Sequence, residues 1–117
     1  MLHEFSNWTD LLISYLNNDD MKITKIVGPT TNNPAIVVDL DTKADIGRMV
    51  CWSDGAFDAE ILNIETGFTR YRIDDTLKVG DCFPSIFSKF FSKFGLDAKL
   101  LPAGVWSGTD ESDEVAF

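Results

Sequence analysis

The sequence predicts an α+β domain: an antiparallel β-meander of four to six strands, with an N-terminal helix and a Phe-rich second helix packed on one face. Three observations predict it. Apolar residues recur at helical spacing near the N-terminus and again after residue 82, and between these stretches the period drops to two. Turn residues punctuate the middle region at short intervals. The connections are too short for crossovers, so successive strands should be antiparallel neighbours.

The first element spans roughly residues 3–17. Leu2, Phe5, Trp8, Leu12, Tyr15 and Leu16 fall on one helical face, and Asn17-Asn18-Asp19-Asp20 ends the helix because these side chains compete for the backbone. Strands are expected at Met21–Val27, Ala35–Leu40, Ile46–Ser53, Phe57–Ile64 and Phe68–Ile73. Gly28-Pro29 closes the first, and residues 30–34 form a loop. Asp41–Asp45 turns the chain, and Asp54-Gly55 is a strong hairpin signal because both residues tolerate positive φ. Glu65-Thr66-Gly67 supplies a further tight turn.

The second helix is the clearest element. Phe83, Ile86, Phe87, Phe90, Phe91 and Phe94 form one broad apolar stripe, with Ser85, Ser88, Lys89, Ser92 and Lys93 opposite. Asp81 is the expected N-cap, Pro84 lies in the first turn, and Gly95 is placed for the left-handed C′ position with Leu96 as its apolar partner. Beyond Leu96 the pattern weakens. Lys99-Leu100-Leu101 and Val105-Trp106 can add a short strand or cover an edge. Residues 1–108 are thus read as one domain, and 109–117, with Asp110, Glu111, Asp113 and Glu114, as an acidic flexible tail.

Charge narrows the function classes. Nineteen Asp and Glu against ten Lys and Arg give −9 at pH 7, and the basic residues are not clustered, which disfavours direct binding to nucleic acid. The same charge speeds encounter with a basic partner, although solubility alone also accounts for it. No basic, apolar leader precedes the first helix, and no apolar run approaches the roughly 20 residues of a membrane span. The expectation is a cytoplasmic protein without membrane contact. The two cysteines, Cys51 and Cys82, are too few for a disulfide framework.

Chemistry is sparse. The only histidine is His3, Cys82 has no adjacent base or cation, and Cys51 follows strand packing, so neither a nucleophilic site nor a zinc site is assembled. Asp19-Asp20 and Asp74-Asp75 read as solvated turn residues. Asp39 and Asp41 share strand parity, but nothing completes a cation site around them. The glycines are scattered, so no phosphate loop forms and no cofactor is implied. The reading is a binding protein, not an enzyme.

Strand parity suggests where binding occurs. Ile36, Val38, Leu40, Phe57, Ala59 and Ile61 should face the helices. The opposite face then carries Val37, Asp39, Asp58, Glu60 and Leu62, beside Trp52, with Asp54 in the adjoining turn. Carboxylates around apolar anchors describe a steered protein interface, and equally an ordinary solvated sheet face. Asp39, Trp52, Asp54, Asp58, Glu60 and Leu62 are the candidate partner-binding residues.

The stretch from Pro34 to Gly95 adds a resemblance. Pro-Ala-Ile-Val-Val-Asp-Leu, the block Arg48-x-x-x-Trp52-Ser53-x-Gly55-x-Phe57-Asp58-x-Glu60, the Asn63-Ile64-Glu65-Thr66-Gly67 turn and the aromatic-rich helix resemble the TriTu-type immunity proteins. These accompany polymorphic toxins of contact-dependent growth inhibition. The resemblance implies a partner: the cognate toxin C-terminal domain, a basic nuclease that cleaves tRNA with help from a translation elongation factor. Immunity would then block the active site or the RNA surface. Two alternatives are a dimeric acidic chaperone of the type III secretion kind and a small enzyme using Asp39, Asp58 or Glu60 as acid–base groups.

Overall fold

A computed structural model describes residues 2–28 and 32–108, so Gly28-Pro29 is seen only at Gly28, the loop at 30–34 only from Asn32, and the acidic tail at 109–117 lies outside the described residues. Helix α1 (His3–Leu16) leads into five strands: β1 (Lys22–Val27), β2 (Ala35–Asp41), β3 (Asp45–Trp52), β4 (Ala56–Asn63) and β5 (Thr69–Thr76). They form one antiparallel sheet in the order β1-β2-β3-β4-β5. The expected α+β meander is therefore present, with five strands and with α1 and the Phe-rich segment on one face. Boundaries shift by a few residues at most. The largest shift extends β5 to Thr76, which places Asp74 and Asp75 within a strand and not in a turn.

The Phe stripe is helical in two pieces, α2 (Phe83–Ile86) and α3 (Ser88–Ser92), where the periodicity predicts one. The interruption is Phe87, at φ −97° and ψ 14°. Its ring lies between Trp8 of α1 (stacked, 5.9 Å between centroids) and Phe57 of β4 (edge-on, 5.4 Å). Tertiary packing thus sets this backbone against the helical preference of its neighbours. Helical bonding nevertheless crosses the break, since the N–H groups of Phe87 and Phe91 donate to the carbonyls of Phe83 and Phe87. The N-cap also differs: Cys82 occupies it, while the Asp81 carboxylate accepts from the Lys78 N–H at 2.8 Å. The C-terminal signal reads true. Gly95 has φ +77°, its N–H donates to Ser92, and Leu96 N–H donates to Phe91, the paired bonds of a Schellman motif.

The core lies between the helices and the sheet. Phe5, Trp8, Phe83, Phe87, Phe90 and Phe91 are essentially inaccessible and pack on Ile36, Val38, Leu40, Met49, Phe57, Ala59 and Ile61. The weakly patterned segment after Leu96 closes this core. A 3-10 turn at Ala98–Leu100 leads to buried Leu101 and Trp106, and the Trp8 indole N–H donates to the Pro102 carbonyl at 2.9 Å. Val105 bridges Cys82, and Ser107 N–H donates to the Glu4 carboxylate at 2.8 Å. The sequence offered a short strand or an edge cover here; the chain forms one isolated bridge and wraps over the helices. Lys25 fastens α1 to the sheet edge by donating to Ser6 and to Asp10.

Candidate functional site

Among the described residues all the helices pack on one side of the sheet, which leaves the other side open. The register arranges the open face in rows across the strands. One row runs Ile26, Val37, Val50, Asp58, Asp74; the next Thr24, Asp39, Arg48, Glu60, Arg72; the third Lys22, Asp41, Ile46, Leu62, Thr69. Trp52 lies beside the first row, opposite Ala35. Five of the six candidate residues, Asp39, Trp52, Asp58, Glu60 and Leu62, therefore share this face and are half-buried by their cross-strand neighbours.

Asp54 is different. It lies in the β3–β4 turn, where its carboxylate accepts from Ala56 N–H at 2.9 Å and from the Asn33 amide at 3.2 Å. Asn33 in turn accepts from the Ser53 hydroxyl at 2.8 Å and from Asp54 N–H at 3.2 Å. Only Gly55 takes positive φ, at +93°, so the turn does not need the left-handed Asp54 that its sequence permits. Asp54 organises the hairpin end, with its carboxylate spent on local bonds.

The middle row alternates in sign. Arg48 grips Asp39 with two parallel bonds, Nε to Oδ1 at 2.7 Å and Nη2 to Oδ2 at 3.0 Å. That contact, and then the nearby negative charge, holds the Arg48 guanidinium above its ordinary pKa, so it stays charged. Arg72 lies between Asp58 (3.5 Å) and Asp74 (3.8 Å). Glu60 has no ion pair among the described residues, and Asp58 Oδ1 is buried without a hydrogen-bond partner among them. The face is thus less negative than its carboxylates alone suggest. Arg48 and Arg72 were missed as members of it, although their even parity, shared with Glu60 and Leu62, was the available signal.

Elsewhere the surface offers little chemistry. A cleft of about 530 Å³ lies beyond the end of α1, between Tyr15, Met21, Thr42, Lys93 and Phe94. Its Asp45 carboxylate pairs with Arg70 through Oδ2, while Oδ1 is buried without a hydrogen-bond partner among the described residues. No group of three or more His, Cys, Asp or Glu among the described residues is placed to hold a metal ion. No helix among them is long and apolar enough to cross a membrane.

No curated protein matches the chain. A family model described as immunity protein TriTu matches residues 3–93, which takes in α1, all five strands and both pieces of the Phe stripe. This span, covering most of the chain and the whole sheet, places the protein in the TriTu immunity protein family, a family of non-enzymatic proteins that neutralise a cognate toxin.

Proposed function

We propose that the open sheet face binds the cognate toxin domain and that the domain is a basic nuclease of a contact-dependent inhibition system, acting on RNA. The observation that carries this reading is the face itself: half-buried carboxylates and apolar side chains on the three central strands, β2 to β4, with nothing covering them among the described residues. A net charge of −9 favours a cationic partner, and nucleases are cationic where they hold phosphate. Binding of this kind occludes the active site or the RNA surface without any chemistry by the inhibitor. An elongation factor bound to the toxin would belong to the same complex. The protein acts, on this reading, in the cytoplasm, where such a substrate is found.

The test is co-expression with the toxin domain encoded beside this chain. Wild-type protein restores growth and binds the purified domain. The double variant Asp58→Lys/Glu60→Lys associates about tenfold more slowly at low ionic strength, and the deficit shrinks as salt is added. Association rates equal to wild type at low salt would sink the electrostatic part of this reading. The carboxylate-catalysis and chaperone alternatives have no comparable support, since the family is non-enzymatic and its partner is a toxin.

A further inference from the structure

We infer that the β4–β5 hairpin tip is the apolar anchor of the complex, a prebuilt knob that fits an apolar pocket on the toxin domain with a cationic rim. This rests on the toxin-binding reading above and adds to it the part of the surface that holds the partner once it has arrived.

Phe68 is 75% exposed and Ile64 is 50% exposed, on either side of the Glu65-Thr66-Gly67 turn. At the same end of the sheet, Ile46 (43% exposed) faces Leu62 across β3 and β4. A Phe that stays in water after folding gains nothing from burial, so the stabilisation that burial gives is still open to a partner's pocket. Single exposed apolar residues are ordinary; an apolar group gathered at one end of an open sheet is less so.

The tip is also rigidly bonded. Asn63 N–H donates to the Phe68 carbonyl (2.9 Å), Ile64 N–H to Ala44 (2.9 Å) and Gly67 N–H to Asn63 (2.8 Å). Thr66 N–H donates to the Asn63 side chain (2.9 Å) and Phe68 N–H to the Thr66 hydroxyl (3.2 Å). Every backbone N–H from Asn63 to Phe68 except that of Glu65 therefore has a partner, and Gly67 takes φ +72° to close the turn. A loop ordered in advance loses little entropy on docking, which is how a small apolar anchor comes to dominate an interface.

Charge identifies the occupant. Asp41 faces Ile46, Glu65 lies in the tip and Glu60 precedes Ile61 and Leu62, whereas Arg70 beside the tip is neutralised by Asp45. Of the other cations here, Lys22 pairs with Asp19, Arg48 with Asp39 and Arg72 with Asp58. That leaves Asp41, Glu60 and Glu65 outnumbering Lys43 at this end, so the complementary pocket carries cations around an apolar floor. A second copy of this chain, equally acidic, is a poor fit.

Surface plasmon resonance of the full chain against the purified toxin domain encoded beside it separates the outcomes. Phe68→Ser and Ile64→Ser should each raise the dissociation rate about tenfold or more, with association nearly unchanged. Leu11→Ser, at an exposed position on α1, should leave both rates as in wild type. All three variants should melt with wild type, which removes misfolding as a cause. Wild-type dissociation rates in both tip variants, with neutralisation intact, would overturn the anchor and leave the proposed function standing. A wild-type chain that neither binds nor neutralises that domain would overturn both.

Discussion

The helix-facing and open sides of the sheet are built from the same five strands, yet alternate residues along each strand meet different surroundings. On the covered side Val38, Met49, Ala59 and Ile61 are inaccessible to solvent and share one buried cluster with the aromatic rings of the helices. On the open side Asp39, Arg48 and Glu60 lie between the same neighbours and remain partly wet. One side therefore specifies the fold through close packing, where volume matters, and the other is free to vary at small cost to stability. For an inhibitor that must match one toxin, this separation is useful. The open face can change while the core remains as it is.

The comparison breaks most visibly at Phe87. Its ring is inaccessible, stacks on Trp8 and meets Phe57, so Phe87→Ala leaves a cavity between α1, the Phe-rich segment and β4. We expect a loss of about 3–5 kcal/mol in chemical unfolding. A loss below about 1 kcal/mol would mean that the covered side is loosely packed and the contrast between the faces is false.

Gly47 tests the same side with a smaller effect. A Cβ there would lie 2.6 Å from Phe94 Cζ and 3.0 Å from Phe90 Cζ. Phe94 is only partly buried and can yield, so Gly47→Ala should cost about 1–3 kcal/mol, read as a lower melting temperature. A neutral result would show that the Phe94 ring moves freely over β3.

Why the two sides were not equally legible follows from their physics. Parity separated Ile36, Val38 and Leu40 from Val37 and Asp39 because a period of two is imposed by the strand itself. The Phe stripe and the Gly95 terminus were legible for the same local reason. What sequence could not carry was anything decided between elements. The break at Phe87 depends on Trp8 and Phe57, far away in the chain. The closure by Trp106 depends on Asp81 and Gly80, whose backbone groups pair with it. On the open face, the carboxylates were legible one at a time, but their neutralisation was not, because Arg48 with Asp39 and Arg72 with Asp58 are cross-strand pairs fixed by register. Asp54 was read as a surface carboxylate, and its capture by Asn33 is a contact between two loops.

The open side is sharpened by substitutions that leave the fold alone. Trp52→Ala and Leu62→Ser, both half-buried there, should lower stability by only about 0.5–1.5 kcal/mol while weakening toxin binding much more, by about tenfold or greater. Equal losses in unfolding and in binding would assign these residues to the scaffold.

The smallest effect concerns Asp39 and Arg48. The bidentate geometry favours a real contribution, but Arg48 is more than half exposed, so solvent screens the pair. In a double-mutant cycle of Asp39→Ala and Arg48→Ala, the coupling energy should be about 0.2–1 kcal/mol at low salt and should fall as salt rises. The raised guanidinium pKa means that Arg48 binds its proton more tightly in the folded state. Its contribution is therefore complete below the ordinary arginine value and is lost only at higher pH, so the coupling should not change between pH 7 and pH 10 through Arg48. A coupling well above 2 kcal/mol would mean that the pair is shielded from water. The open side would then hold part of the fold's stability, and its freedom to vary would be correspondingly less.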